Sequence, residues 1–180
     1  VWVARLNGSI SADSRQLYVD GIRANRTMMQ FPQASATKHA WGIESPLAAR
    51  FTHNRGAKIE MLHRGTHTCN YSSSIQWAET RVPVASIENK SRFVMLQPAY
   101  SHSNNNGNRL PCFLENAFEL LGDREHGRPG NYYIDSDAKS VYYVGVAAPQ
   151  RAVLPQSQGL VTASNITDWS VQGVVMQEAT

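Results

Sequence analysis

The chain of 180 residues is long enough to bury one sizeable core, and its 42% hydrophobic and 17% charged residues exclude wholesale disorder. Its formal charge of +3 is too small, and its Lys and Arg residues are too scattered, to predict a nucleic-acid-binding protein. No apolar run approaches the roughly 20 residues that span a membrane, so no membrane partner is expected.

The sequence begins directly with a strand-like segment, VWVARL, and shows no signal peptide. We therefore expect a mature chain or an excised domain.

Five Asn-x-Ser/Thr sequons occur where about two would arise by chance, which favours a secreted protein. The candidate glycosylation sites are Asn7, Asn25, Asn70, Asn89 and Asn165. Cys69 and Cys112 are the two cysteines, and a secreted chain would allow them to form a disulfide. Their pairing stays open, because the sequence does not fix the Cα separation that a disulfide needs.

The clearest hairpin in the first third of the chain is Leu17–Ala24. Its Asp20-Gly21 dipeptide suits the positive φ angles of a two-residue type I′ turn. Residues 25–56 are weakly patterned and predict loops, with a short helix near Pro46–Phe51.

Strands are predicted again in the middle of the chain. In Lys58–His63, the residues Ile59, Met61 and His63 share one face of the predicted strand and alternate with Glu60 and Leu62. In Ile75–Val84, the residues Ile75, Trp77, Glu79 and Arg81 share one face. Arg92–Leu96 is apolar on both faces, which indicates a central strand. An Asn-rich loop follows at residues 99–110.

The next segment predicts a short helix packed on an aromatic hairpin. Apolar residues between Pro111 and Gly122 recur every three or four positions, which places them on one helical stripe. The stripe consists of Phe113, Leu114, Ala117, Phe118, Leu120 and Leu121. The period then changes to two in Tyr132–Ile134 and Val141–Val144, which predicts a hairpin.

Three more short strands are predicted near the end of the chain: Ala152–Leu154, Leu160–Thr162 and Val171–Val175. Many short strands with a single helix predict a mainly β fold, an antiparallel β-sandwich or barrel-like domain with one short α-helix. We divide the chain into a β-domain of residues 1–150 and strands of residues 151–180 that pack on it.

Several segments resemble, in the same order, passages of one known family. VWVARL, RQLYVDGIRA, WAETRVPV, LENAFELL and NYYIDSDAKSVYYV are similar to segments of right-handed parallel β-helix proteins of glycoside hydrolase family 141 and its relatives. The resemblance implies a β-domain inserted near the start of a larger secreted β-helix protein, with residues 151–180 similar to the first rung. The rest of that β-helix would then be a partner of this domain. Residues 38–75 match poorly, and nothing is carried over there.

A candidate carbohydrate-binding surface lies on the strand that matches the family's W-x-E-x-R-x-P-V pattern. Trp77, Glu79 and Arg81 share one face of this strand, and aromatic, carboxylate and guanidinium groups are the groups that bind sugars. Further candidates in the neighbouring loop are Tyr100, His102 and Asn104. Two other interpretations stay open: Trp77 lies in the core beside an ordinary Glu79–Arg81 ion pair, or this face contacts the β-helix.

Five carboxylates are catalytic candidates: Glu60, Glu79, Glu115, Asp135 and Asp137. Glycoside hydrolysis needs two carboxyl groups about 5–9.5 Å apart. Glu60 and Glu79 can approach on adjacent strands, but carboxylates in strands more often meet solvent or Arg. Asp135 and Asp137 bracket a turn, and Glu115 would favour the N-terminus of the predicted helix. No catalytic residue is therefore assigned.

His63, His67 and Cys69 are residue types that bind zinc. In an extended segment, however, the two histidines would lie about 13 Å apart, and no strong fourth ligand is near. We interpret both as surface histidines and predict no metal and no cofactor.

The sequence thus predicts a non-catalytic, carbohydrate-contacting accessory domain of a secreted, polysaccharide-degrading, glycoside hydrolase-like protein. Its expected partner is a plant or microbial polysaccharide. The alternatives are a free-standing lectin-like protein and a small glycoside hydrolase that uses Glu79.

Overall fold

The computed structural model describes residues 1–8, 10, 14–39, 42–64, 69, 79–96, 110–156, 164, 167 and 170, without the side chains of Arg55, Arg64 and Glu79. The strands predicted at Leu160–Thr162 and Val171–Val175 lie outside these residues. No helix in the described part of the chain has the length and apolar character that crossing a membrane requires.

Short strands make up most of the regular structure, as predicted. In chain order they are β1 (Trp2–Arg5), β2 (Tyr18–Val19), β3 (Ile22–Arg23), β4 (Asn25–Arg26), β5 (Met28–Gln30), β6 (Thr37–His39), β7 (Gly42–Glu44), β8 (Glu60–Arg64), β9 (Glu79–Glu88), β10 (Arg92–Met95), β11 (Phe113–Glu115), β12 (Asn131–Asp135), β13 (Ser140–Tyr143) and β14 (Ala152–Val153). The connecting 3₁₀ helices are Gln33–Ser35, Pro46–Arg50, His53–Gly56 and Phe118–Leu121. The mainly β fold is confirmed.

The strands form three sheets. A curled seven-stranded sheet has the order β5-β11-β8-β9-β10-β7-β6, a four-stranded sheet the order β1-β13-β12-β4, and a three-stranded sheet the order β14-β2-β3. Neighbours within these sheets run antiparallel, except that β12 and β4 are parallel. The central position predicted for Arg92–Leu96 is confirmed, because β10 lies between β9 and β7.

Both predicted hairpins are present. Asp20 and Gly21 have φ angles of 50° and 80°, as a type I′ turn requires, and β2 pairs directly with β3. In the second hairpin, β12 pairs with β13, and the Oδ1 atom of Asp135 accepts hydrogen bonds from the backbone N–H groups of Asp137 and Ala138. The Asp135 side chain therefore organises the turn between these two strands.

The α-helix predicted between Pro111 and Gly122 is wrong, because this segment forms β11 and a single 3₁₀ turn. Asn116, between the two, has a φ of 54° and interrupts any helix. Its buried side-chain amide donates to the carbonyl oxygens of Lys58 (2.8 Å) and Ile134 (2.9 Å), and its Oδ1 atom accepts the Ile134 N–H (2.9 Å). Hydrogen bonds to Lys58, just before β8, and to Ile134 of β12 thus override the local helical pattern.

The main core lies on one face of the seven-stranded sheet. Met61 of β8, Val82 of β9 and Leu114 of β11 are almost fully buried side by side, with Phe93 of β10. A second core joins the other two sheets, and its members include Val19, Tyr132, Ile134 and Val141. Side chains on the opposite face of β8, β9 and β11 point away from the main core.

Cys69 and Cys112 form a disulfide in the structure, with a Cα–Cα separation of 5.1 Å. The bond lies beside Leu62 and Phe113 on the opposite face of the seven-stranded sheet. Because 43 residues separate the cysteines, loop-closure entropy alone would stabilise the folded chain by about 4 kcal/mol.

Candidate functional site

Charged residues occupy the face of the seven-stranded sheet opposite the main core. Glu60 of β8 lies directly across from Glu115 of β11, and both are buried. Side chains alternate along a strand, so residues next to Met61 and Leu114 point away from the core that these two fill. Arg81 of β9 shares this face, because its neighbour Val82 also points into the core.

Three arginines pair with the two buried carboxylates. Arg26 contacts the Oε2 atom of Glu60 and lies 3.5 Å from the Oε2 atom of Glu115. Arg15 binds Glu60 through two nitrogens, with Nε 3.2 Å from Oε2 and Nη2 2.9 Å from Oε1. Arg81 donates through Nε to the Oε2 atom of Glu115 at 3.0 Å. We call these five side chains the ion network.

The ion network keeps Glu60 ionised. Burial by itself would raise the pKa of this carboxyl, but the charge of Arg26 and the hydrogen bonds from Arg15 and Arg26 outweigh burial and lower it. A carboxyl group with a lowered pKa accepts hydrogen bonds at neutral pH and does not donate a proton.

Four of the five side chains of the ion network, Arg15, Arg26, Arg81 and Glu115, line the floor of a broad cleft with a volume of about 1340 Å³, and Glu60 lies behind them, paired with Arg15 and Arg26. The cleft lies between β4, β12 and the loop that precedes β12, and Met28 lines its floor beside Glu115. We call it the arginine cleft, because six of its fifteen described lining residues are arginines. They are Arg15, Arg23, Arg26, Arg81, Arg124 and Arg128. Its volume exceeds that of typical small-ligand sites, which is about 300–1,000 Å³.

Asp123 holds the loop that forms one rim of the cleft. Its Oδ1 atom accepts the backbone N–H groups of Glu125 (2.7 Å) and His126 (2.9 Å), and it lies 2.8 Å from the His126 Nδ1 atom. Its Oδ2 atom pairs with Arg50. The hydrogen bond with the His126 ring is the largest of the effects that lower the pKa of Asp123 to about 2, so this carboxylate is ionised at neutral pH.

Within the described part of the chain, Asp123, Glu125 and His126 form a cluster that could hold a metal ion, since their ligand atoms lie within 4.8 Å of one another. Both oxygens of Asp123 are already engaged by hydrogen bonds and Arg50. We therefore assign this cluster to the conformation of the loop.

Tyr132 of β12 closes the base of the cleft. Its hydroxyl group donates to the backbone carbonyl oxygen of Arg15, which fixes the segment that carries this arginine. Burial raises the pKa of Tyr132 to about 12, so the phenol stays protonated and can donate throughout the physiological range.

Arg81 is the one predicted carbohydrate-binding residue whose side chain is among those described, and it lines the arginine cleft. Glu79 belongs to β9 but its side chain is not described, so the predicted Glu79–Arg81 pair stays a prediction. The other predicted binding residues lie outside the described part of the chain: Trp77, Tyr100, His102 and Asn104.

The catalytic candidates lie in three places. Glu60 is opposite Pro83 and Glu115, whereas Glu79 is opposite Arg64, so the register separates the two residues that could have approached on adjacent strands. Glu60 pairs with Arg15 and Arg26 instead, as expected of a carboxylate in a strand. The helix N-terminus predicted for Glu115 is wrong, since this residue ends β11. Asp135 and Asp137, by contrast, belong to the β12–β13 turn, as predicted, and neither lines the cleft.

The prediction that His63 is a surface histidine is wrong. It is 4% exposed, because it follows Met61 on the core-facing side of β8. Burial, aided by the charge of Lys38, lowers the pKa of His63 to about 4 and keeps the ring neutral. His67 lies outside the described residues, and the disulfide removes Cys69 as a metal ligand.

Three candidate glycosylation sites lie among the described residues, and all three are exposed: Asn7, Asn25 and Asn89. Asn25 lines the arginine cleft, so a glycan attached there would stand in the cleft. Asn70 and Asn165 lie outside the described residues.

Sequence reasoning missed most of the cleft. Arg15 and Arg26 belong to segments that looked like a hairpin flank and a loop, and they reach Glu60 across 45 and 34 positions of the chain. The run of Arg124, His126 and Arg128 between a helix-like stripe and a hairpin is the local signal that could have drawn attention to the rim.

Comparisons with known proteins give one structural similarity. No protein-family model matches the chain, and no curated protein matches it. A solved structure described as "Glycoside hydrolase" is similar to 80% of this chain, with 22% sequence identity and a TM-score of 0.49. The matched part is 26% of that structure, so this chain spans about a quarter of its length.

Proposed function

We propose that the chain is a non-catalytic, carbohydrate-binding domain and that the arginine cleft is its binding site. The observation that carries this proposal is a cleft of about 1340 Å³ whose floor is an already formed network of guanidinium and carboxylate groups. Such groups bind sugar hydroxyls through charge-assisted hydrogen bonds. Because the network exists before any ligand binds, little conformational entropy would be lost on binding.

The protonation state of the cleft supports binding over hydrolysis. A glycosidase needs one carboxylic acid that is protonated at working pH, with a raised pKa. Arg15 and Arg26 instead lower the pKa of Glu60, and the Glu115 side chain lies against Arg26 and Arg81. Glu79 stays the candidate of the alternative proposal, a small glycoside hydrolase.

The wider assignment follows the sequence resemblance described above. We propose that the domain belongs to a longer, secreted, glycoside hydrolase-like protein of the β-helix type, with residues 151–180 leading into that β-helix. The disulfide between Cys69 and Cys112 supports an oxidising compartment. Asn7 and Asn89 are the proposed glycan carriers, because both are exposed and neither lines the cleft.

Affinity electrophoresis of unglycosylated protein in gels that contain neutral or acidic polysaccharides tests the proposal. At least one polysaccharide should retard the chain. Asn25→Trp should weaken or abolish the retardation, because the indole ring would obstruct the part of the cleft that Asn25 lines. Asn7→Trp is the matched control, since Asn7 is equally a surface sequon residue but lies outside the cleft lining.

The same protein should release no reducing sugar from a retained polysaccharide, and Glu79→Gln should leave that result unchanged. Two results would overturn the proposal. One is hydrolysis that Glu79→Gln removes, and the other is a wild-type chain that no polysaccharide retards.

A further inference from the structure

The arginine cleft concentrates positive charge. Among the described residues, six arginines and two glutamates line it, which is an excess of four formal positive charges. Glu60, which pairs with Arg15 and Arg26 without lining the cleft, lowers this excess to three, so this one surface carries as much net positive charge as the whole chain. A concave surface lined by one sign of charge raises the local concentration of ligands of the opposite sign.

The arginines of the cleft fall into two groups. Those of the floor, Arg15, Arg26 and Arg81, pair with Glu60 and Glu115. Those of the rim are Arg23, Arg124 and Arg128, which are exposed and pair with no carboxylate among the described residues. The rim arginines are therefore the ones that can bind an incoming anion.

The loop that carries two of the rim arginines is held in place before any ligand binds. Asp123 accepts three hydrogen bonds within the loop, and the Asn131 side chain donates to the His126 carbonyl oxygen. A Cβ atom at Gly127 would lie 2.3 Å from the Leu121 carbonyl oxygen, so this close turn admits only glycine. Guanidinium groups on a fixed loop lose less entropy when they bind a planar anion.

Resting on the proposed function, we infer that the ligand is an acidic saccharide whose carboxylate or sulfate groups are bound by Arg23, Arg124 and Arg128. Neutral sugars are commonly bound by stacking on exposed aromatic faces. Tyr132 is the aromatic residue among the described lining residues, and it is 1% exposed. Recognition in this part of the cleft must therefore come from charge and hydrogen bonds.

The same observation disfavours single-stranded nucleic acid. Proteins that bind single strands combine a basic groove with aromatic side chains on which the bases stack. The described lining of the arginine cleft offers the charge without an exposed ring. An acidic saccharide needs only the charge and hydrogen-bond donors.

Titration calorimetry with the complete, unglycosylated chain tests the inference at low ionic strength. The probes are an oligogalacturonide, the same oligomer with its carboxyl groups methyl-esterified, a sulfated galactan oligomer and a single-stranded DNA oligomer. We expect one or both acidic saccharides to bind at least about tenfold more tightly than the methyl ester, because esterification removes the charge. Whichever acidic saccharide binds more tightly identifies the anionic group as carboxylate or sulfate.

Arg124→Gln/Arg128→Gln should weaken binding of the acidic saccharide by about tenfold or more, and added salt should weaken wild-type binding. Arg5→Gln/Lys90→Gln is the matched control. It also removes two exposed positive charges, but at positions outside the cleft lining. Near-ultraviolet circular dichroism would check that the double variant keeps its fold.

Equal binding of the acidic oligomer and its methyl ester, unaffected by the double variant, would overturn this inference and leave the proposed function standing. Tighter binding of the DNA oligomer than of both acidic saccharides would overturn it as well. If no saccharide binds, acidic or neutral, the proposed function itself is wrong.

Discussion

The two faces of strands β8 and β11 contrast sharply. On one face, Met61 and Leu114 are fully buried among apolar neighbours. On the other, Glu60 and Glu115 are almost as buried but are surrounded by arginines. Burial of apolar side chains is favourable in itself, whereas buried charges need partners to offset the loss of hydration. Burial on the first face therefore stabilises the fold. Burial on the second face lowers the net stability, because the charged side chains there lose hydration, and it leaves them ordered beneath the cleft.

The largest effect is expected on the apolar face. Leu114→Ala should lower the free energy of unfolding by about 3–5 kcal/mol, because it leaves a cavity at a position with 0% exposure. Urea denaturation followed by tryptophan fluorescence would measure this change. Ile22→Ala serves as the control, since Ile22 is 74% exposed and should change stability by less than about 0.5 kcal/mol. A loss below about 1 kcal/mol for Leu114→Ala would contradict the placement of β11 in the core.

On the charged face, a smaller and pH-dependent effect is expected. Glu60→Gln should cost about 2–4 kcal/mol at pH 7, because Arg26 and Arg15 lose the carboxylate that compensates their charge. The pKa of Glu60 is lowered from its ordinary value of 4.5. Its ionised form therefore contributes stability that is fully present above pH 4.5 and is lost as the pH falls through the lower pKa of the folded state.

Urea denaturation of both proteins between pH 7 and pH 3 would test this. The difference between the wild-type chain and Glu60→Gln should be constant near neutral pH and should shrink below pH 4.5. A difference that grows as the pH falls would mean that Glu60 is buried in its protonated form, and the argument against acid catalysis would fail with it.

The smallest effect is expected from an ion pair outside the cleft. Lys58 and Asp137 lie 2.6 Å apart, but the Asp137 side chain is 78% exposed. Asp137→Asn should therefore change the free energy of unfolding by less than about 0.5 kcal/mol, since solvent and salt screen an exposed pair. A loss as large as that of Glu60→Gln, measured by the same urea denaturation, would show that burial is not what distinguishes the two pairs.

Local patterns in the sequence predicted the elements of the fold better than their contacts. Alternation in Lys58–His63 correctly separated Met61 from Glu60, and Asp20-Gly21 correctly predicted a type I′ turn. The stripe after Pro111 fitted a helix because short apolar runs have no decisive period. The backbone at Asn116, fixed by hydrogen bonds to Lys58 and Ile134, decided the outcome.

The arginine cleft could not be predicted in the same way. The ion network beneath it joins Arg26, Glu60 and Glu115, which come from three separate strands. Sequence spacing does not indicate which distant strands become neighbours. From the sequence alone, Glu60 could have approached Glu79 on an adjacent strand. Arg81 was predicted as a binding residue from its strand face, and this face does line the cleft.

Nuclear magnetic resonance of the ¹⁵N-labelled chain, titrated with an acidic oligogalacturonide, tests the central claim that the charged face is a binding site. The side-chain Nε–H signals of Arg23, Arg124 and Arg128 should shift in proportion to saturation, while backbone signals of Met61 and Leu114 in the main core stay unchanged. Shifts confined to residues outside the cleft, such as β1, or no shift at saturating saccharide, would contradict the account.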